Sequence, residues 1–150
     1  MKICEEFYIN GEWVKPINEL KTLDVINPAT EEVFGRIALG DSADVDAAVD
    51  AAYEAFETFS LVSVDDRVAL LEKILEVYKG KYDEIAETIS SEMGAPIGLS
   101  KAAQAATGLG HFSTALETLK NYNFEEVKGS ALIRKEPIGV VGMITPWNWP

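Results

Sequence analysis

One cysteine and one histidine stand among 150 residues. Cys4, being alone, can close no intramolecular disulfide and can join no cysteine-rich zinc site. His111, being alone, cannot furnish a His-based metal centre, and the carboxylates show no ligand spacing, so no metal is expected. The absence of disulfides fits a reducing compartment. Basic residues are scarce: 13 Lys and Arg face 25 Asp and Glu, a net charge of -12 with an isoelectric point near 4.4. Nucleic acid and anionic membrane surfaces both call for a basic face, so neither partner is expected. No apolar run approaches the ~18 residues of a membrane span. Met1 to Asn10 holds Lys2, Glu5 and Glu6 without the apolar core of a secretory signal. These absences predict a soluble, cytoplasmic protein. Repeats, linkers and low-complexity tracts are missing too, and the composition, 47% hydrophobic and 25% charged, is that of a globular chain long enough to bury a core.

The residues that are present divide into three stretches. The first forty read as strands and turns. Phe7 to Ile9 and Glu12 to Val14 flank Asn10-Gly11, a pair that accepts the positive φ angles of a type I′ hairpin turn. Thr22 to Ile26 and Glu32 to Leu39 are further strands around the turn Asn27-Pro28-Ala29-Thr30, where Pro28 keeps Asn27 out of the helical region. The next eighty residues take the helical period. Asp41 or Ser42 is the predicted N-cap of a helix that sets Val45, Val49, Ala52, Phe56 and Phe59 on one face. Ser63, with Asp66 three residues on, opens a second helix with the stripe Val68, Leu71, Leu75 and Tyr78. Gly80 separates it from a third, carrying Tyr82, Ile85, Ile89 and Met93 and closed by Gly94 at a C′ position. A fourth, rich in small residues, runs from about Ser100 to Lys120. The last thirty residues return to strands: Phe124 to Val127 and Ala131 to Lys135 as a half-exposed pair, then Ile138 to Thr145. That last, nearly unbroken apolar run predicts a strand buried on both faces, as in a parallel sheet. Such a strand needs neighbours that these residues do not supply, which reads as the front part of a larger α/β protein.

Pro146-Trp147-Asn148-Trp149-Pro150 is the densest chemical signal. It follows the carboxyl end of the expected buried strand, where α/β proteins place ligands. The prolines fix the backbone, the tryptophans offer flat apolar walls, and Asn148 offers an uncharged amide that can hold an oxyanion. The competing reading is a rigid, Trp-packed turn with the Asn148 amide satisfied by backbone.

Taken in order, the segments resemble the aldehyde dehydrogenase superfamily. Tyr8-Ile9-Asn10-Gly11-Glu12-Trp13 is similar to its N-terminal hairpin and Ile26 to Glu32 to its first turn. The acidic helix with Ala47-Ala48-Val49, the Arg67 to Ile74 helix and Glu92-Met93-Gly94-Ala95-Pro96 follow in the family's order. Glu136 to Pro150 resembles its most recognisable N-terminal block. The likeness covers essentially all 150 residues, corresponding to roughly the first third of a family chain.

The resemblance implies an α/β, aldehyde dehydrogenase-like fold. Residues 1–150 would be the start of a Rossmann-like cofactor-binding domain, incomplete and without the catalytic domain. The strands at about 124–135 would serve subunit association in a homo-oligomer, a dimer or tetramer. The implied reaction is NAD(P)+-dependent oxidation of a small-molecule aldehyde to a carboxylic acid through a cysteine thiohemiacetal and thioester. Asn148 matches the oxyanion-stabilising asparagine. Ile144, Thr145, Pro146 and Trp147 match the segment at the nicotinamide end of NAD or NADP, and Trp149 an aromatic position of the substrate channel.

The nucleophilic cysteine, the general-base glutamate and the main phosphate and ribose segment of such enzymes lie beyond Pro150, so the 150 residues alone are expected to be inactive. Cys4 lies in no matching motif and takes no nucleophile role. Phe59 stands where many relatives have Trp, and Ala95 where a lysine is common. The alternative is a catalytically inactive, truncated relative acting as an oligomerisation or interaction module; an acidic helical adaptor is a weaker one.

Three other features carry blander readings. Gly108-Leu109-Gly110 lacks the third glycine and the preceding strand of a dinucleotide fingerprint, so close helix packing is expected. His111 lacks a visible nucleophile and orienting group and reads as structural. The eight acids between Ile37 and Asp66, with no Lys or Arg among them, read as solvated helix surface.

Overall fold

The computed structural model describes residues 1–149; Pro150 lies outside them. A three-stranded sheet has the order β1-β5-β4, from Lys2–Cys4, Glu32–Leu39 and Lys21–Asn27. β4 and β5 are antiparallel, with a register shift between Val25 and Ile26, while β1 runs parallel to β5, Lys2 facing Gly35 and Cys4 facing Ile37. β1 escapes sequence patterning because it is three residues long and exposed throughout. β2, Phe7–Ile9, and β3, Glu12–Val14, form the expected hairpin. Asn10 and Gly11 sit at φ 53° and 81°, the positive angles that match the strand twist. Between β4 and β5 the Asn27 side chain accepts from the Ala29 N–H at 2.9 Å, and the Glu31 N–H reaches the Asn27 carbonyl at 2.8 Å. An Asx turn therefore opens the connection.

α1 spans Ser42–Phe59 and is capped by Asp41. The Asp41 carboxylate accepts from the Ala43 N–H, and Asp44 accepts in return from the Asp41 N–H at 2.9 Å, completing a capping box. The other oxygen of Asp44 accepts from the Ile17 N–H at 2.9 Å, which pins the preceding loop to the helix. These bonds allow Asp44 to be buried. The apolar stripe of α1 is only partly used: Phe56 is half-buried, but Val45, Val49 and Phe59 stay largely exposed.

α2, Val64–Gly80, starts at Ser63, whose hydroxyl accepts from the Asp66 N–H at 3.1 Å and donates to the Asp66 carboxylate at 2.6 Å. α3 covers Tyr82–Met93 and ends at Gly94 in the left-handed conformation, φ 72°. Expected stripes on these helices hold: Leu75, Ala86 and Ile89 are buried, and Val68, Leu71, Tyr78, Tyr82, Ile85 and Met93 are half-buried.

The expected fourth helix is three pieces in line: α4 at Ile97–Leu99, a π-helical stretch at Ser100–Ala105, and α5 at Ala106–Asn121. A π-turn displaces carbonyls from their usual partners. Here the Tyr78 hydroxyl of α2 donates to the Ala105 carbonyl at 2.8 Å, and the Tyr82 hydroxyl of α3 donates to the Lys101 carbonyl. Within the stretch, buried Ser100 and Gln104 bond each other, and the Gln104 amide reaches the Met93 sulfur. Gly108 lets Tyr78 lie against α5, as the small-residue pattern predicted. A Lys120–Glu72 ion pair at 2.9 Å closes the far end of the α2–α5 contact. The turn before β5 meets this helical layer where Pro28 packs on Gly94.

β6, Glu125–Lys128, and β7, Ala131–Arg134, form a second hairpin, exposed at every residue. The expected buried strand at Ile138 to Thr145 is not there. Residues 136–149 form neither helix nor strand, and Ile138, Met143 and Ile144 are almost fully exposed. A strand needs at least one neighbour to pair its N–H and C=O groups. Among the described residues, none of the three sheets includes this segment, so the apolar run has no ladder to join.

Candidate active-site segment

The predicted site residues all lie on this last segment. It leaves β7 at Lys135, passes Pro137, and bends at Gly139, whose φ of 126° belongs to glycine. The chain then runs irregularly to a turn at Trp147 and Asn148. Asn148 is exposed at that turn, between Trp147, 86% exposed, and Trp149, 47% exposed. The two ring walls do not bury the amide, so the reading of a Trp-packed turn does not describe this structure. Ile144, Thr145 and Pro146 precede it and are exposed as well. The five predicted positions and Asn148 are thus brought together by sequence adjacency alone.

Electrostatically the segment is blank. Residues 137–149 contain no Asp, Glu, Lys, Arg or His. An amide donor in such a stretch keeps its hydrogen-bonding character at every working pH, which is what an oxyanion needs and what a titrating donor cannot guarantee. Groups with displaced pKa values sit elsewhere and have structural causes. The Asn18 side-chain bond, followed by the Ala43 N–H, holds the Asp41 carboxyl below its usual range. Burial, followed by the neighbouring Tyr82, raises the Tyr78 phenol.

Charge gathers instead at the root of the segment. Arg134 pairs with Glu125 at 2.7 Å and lies 3.9 Å from Glu136. The Lys135 ammonium donates to the Tyr122 hydroxyl at 2.7 Å and stands 4.5 Å from the centre of that ring. Tyr122 meets Phe124 edge-on at 4.8 Å, and Arg67 of α2 lies 5.0 Å from the Phe124 ring centre. An open groove of about 750 Å³ is lined here by Phe56, Leu61, Arg67, Phe124 and Arg134. Sequence patterning singled out none of Arg67, Tyr122, Lys135 as a group, because they meet only once the hairpin folds back.

Three other features lie outside this segment. Cys4 is exposed on β1, in a shallow concavity with Ile3, Glu5, Glu6, Trp13 and Lys15. His111 is on the exposed face of α5 beside Thr114, Ala115 and Thr118. Gly108 and Gly110 are both inside α5, not in a phosphate-binding turn. Among the described residues no three His, Cys, Asp or Glu side chains gather as a metal site, and no helix is long and apolar enough to cross a membrane.

The helical layer, the small sheet and the terminal segment define an α/β protein of the aldehyde dehydrogenase type, and comparison places it there. The aldehyde dehydrogenase family profile matches residues 13–150, and the chain belongs to that family. A Staphylococcus aureus protein (strain bovine RF122 / ET3-1) that carries an aldehyde dehydrogenase name is 52% identical over 143 residues, covering 95% of this chain and 30% of the relative. Aldehyde dehydrogenase C of Pseudomonas syringae, a mutant solved with NAD+ and octanal, is 42% identical with a TM-score of 0.95, over 98% of this chain and 30% of its own. Betaine aldehyde dehydrogenase of Staphylococcus aureus, solved with NAD+, is 30% identical with a TM-score of 0.89, over 97% of this chain and 30% of its own. The chain therefore spans about 30% of the length of the relatives it matches.

Proposed function

We propose that residues 1–150 are the opening part of the cofactor-binding domain of an NAD(P)+-dependent aldehyde dehydrogenase, which oxidises a small-molecule aldehyde to a carboxylic acid. In this reading the nucleophilic cysteine and the general-base glutamate belong to the portion beyond residue 150, and Cys4 plays neither role. Asn148 donates its amide hydrogens to the oxygen of the tetrahedral thiohemiacetal, where negative charge collects as the thiolate adds to the aldehyde. Because the amide is neutral, it stabilises that charge without giving up a proton. Trp149 walls the substrate channel. Ile144, Thr145, Pro146 and Trp147 face the nicotinamide end of NAD or NADP. Their fit is to that end alone: they offer apolar faces and one hydroxyl, and no cation for a pyrophosphate. The dinucleotide, when bound, supplies the hydride acceptor. The strands near 124–135 serve association of subunits.

The supporting observation is the exposed Trp147-Asn148 turn on an uncharged segment, in a family whose Pseudomonas syringae member was solved with NAD+ and octanal. The test is Asn148→Ala in the full-length enzyme. Loss of one oxyanion donor should lower kcat about 10²–10³-fold, while NAD+ still binds in a fluorescence titration. Undiminished turnover would remove Asn148 from the oxyanion site.

A further inference from the structure

Gln104 is a buried amide with one well-matched end and one poorly matched end. It lies in the π-helical stretch and is 6% exposed. The hydroxyl of fully buried Ser100 donates to its Oε1 at 3.2 Å, so the carbonyl end is answered by an ordinary donor. The Nε2 end carries two N–H donors. Its side-chain acceptor among the described residues is the Met93 sulfur, at 3.5 Å. A thioether is a weak acceptor. The buried N–H therefore faces an atom whose acceptor strength oxidation would raise.

Met93 is the last residue of α3 and half-buried, and Gly94 ends the helix directly after it. Its stem has three rotatable bonds and a polarisable sulfur, so it adapts to a changed partner more readily than a branched side chain. These contacts join the end of α3 to the π-helical stretch, inside the helical layer.

We infer that Met93 is a site of oxidation by hydrogen peroxide and that Gln104 holds the resulting sulfoxide. A sulfur lone pair attacks one peroxide oxygen. The S–O bond forms as the O–O bond breaks, and the departing hydroxide takes the proton left on the transferred oxygen and leaves as water. Sulfur is oxidised and the peroxide is reduced. The Gln104 amide engages one lone pair of the sulfur, which leaves the other for this attack. Rotation of the Met93 stem then brings the new oxygen to the amide. Methionine oxidation commonly loosens a core, because a flexible apolar side chain becomes polar. Here it replaces a weak acceptor with a strong one in front of a buried donor, so α3 and the π-helical stretch are tied more firmly. The inference is independent of the role proposed for Asn148.

The test treats the full-length enzyme with hydrogen peroxide. Mass spectrometry reads the oxygen gained by the peptide that contains Met93, and hydrogen exchange reads local opening over residues 93–105. Met93 should be oxidised, and exchange there should slow about two- to tenfold, the effect of one added neutral hydrogen bond. In Met93→Leu, peroxide should leave that exchange unchanged. In Gln104→Leu, oxidation of Met93 should speed it. An enzyme that gains no oxygen at Met93 overturns the inference, and so does oxidised wild type with unchanged or faster exchange. Slowing that persists in Gln104→Leu removes Gln104 as the group that holds the sulfoxide. Should Gln104→Leu not fold, Met93→Gln sets an amide oxygen near the same place without peroxide. It should exchange about two- to tenfold more slowly than Met93→Leu, and equal rates overturn the inference.

Discussion

Two glycines two residues apart on α5 should respond to alanine with opposite signs. At Gly110 nothing lies within 4 Å of the place a Cβ would take, so Gly110→Ala only removes the conformational cost of glycine in a helix. It should stabilise the protein by about 1 kcal/mol. At Gly108 the same gain is available, but the new methyl would fall on the Tyr78 hydroxyl and 2.9 Å from its Cζ. The ring can swing aside, being the end of a side chain. Doing so breaks the 2.8 Å bond to the carbonyl of fully buried Ala105, at the junction of the π-helical stretch and α5. Displacing a packed side chain to admit a methyl costs about 1–3 kcal/mol. Gly108→Ala should therefore be destabilising by up to about 2 kcal/mol once the propensity gain is subtracted. Urea denaturation of the single variants and of Gly108→Ala combined with Tyr78→Ala measures this. In the Tyr78→Ala background the penalty should vanish and the gain reappear. If Gly108→Ala and Gly110→Ala stabilise equally, Tyr78 does not hold the π-turn as argued.

Two further outcomes are expected. Gly94→Ala puts a side chain at φ 72°, with its Cβ 2.7 Å from Pro28 Cγ, a ring atom that cannot rotate away. The left-handed backbone alone costs about 1–2 kcal/mol, so the urea midpoint should fall more than in Gly108→Ala. The Asp41 carboxyl is held below its ordinary 3.8 by Asn18 and the Ala43 N–H, so its contribution is complete above that value and lost as the pH falls through the lower, folded-state value. Between pH 5 and pH 3 the midpoint should drop less in Asp41→Asn, which still caps but does not titrate; an equal drop would place the acid sensitivity in other carboxyls.

Local elements were legible where one residue pair decides the geometry. Asn10-Gly11 announces a turn needing two positive φ angles, Ser63 with Asp66 announces a helix start, and Gly94 announces an end. The stripes of α2 and α3 were legible because α2 packs on α5, α3 packs on the π-helical stretch, and the two helices touch each other. The same rule failed for α1, whose stripe is as regular but meets little among the described residues, leaving Val45 and Val49 exposed. Periodicity reports which face can be buried, not what covers it. β1 was invisible because parallel pairing of three exposed residues with β5 leaves no alternation to read. The π-helical stretch was invisible for a related reason. It depends on hydroxyls from Tyr78 and Tyr82, 27 and 19 residues from the carbonyls they reach, which in sequence look like ordinary members of an apolar stripe.

The terminal segment separates the two kinds of information most clearly. Its residue types carry the family likeness, and the profile match over residues 13–150 agrees with it. Its shape could not be read from the same residues. An apolar run such as Val140-Val141-Gly142-Met143-Ile144 fixes a preference for burial, but a strand forms only when neighbouring backbone offers hydrogen bonds to at least one of its edges. Within residues 1–149 such neighbours are lacking, and Ile144 stands fully in solvent. The physics therefore places the cost of this segment on apolar surface, about 25 cal/mol per Å² left in water, and predicts where relief must come from. Any surface that covers Ile138 to Ile144 must bring backbone donors and acceptors along with apolar contacts. In the proposed enzyme that would order the approach to Asn148 at the same time, so burial of the segment and positioning of the oxyanion donor would be one event.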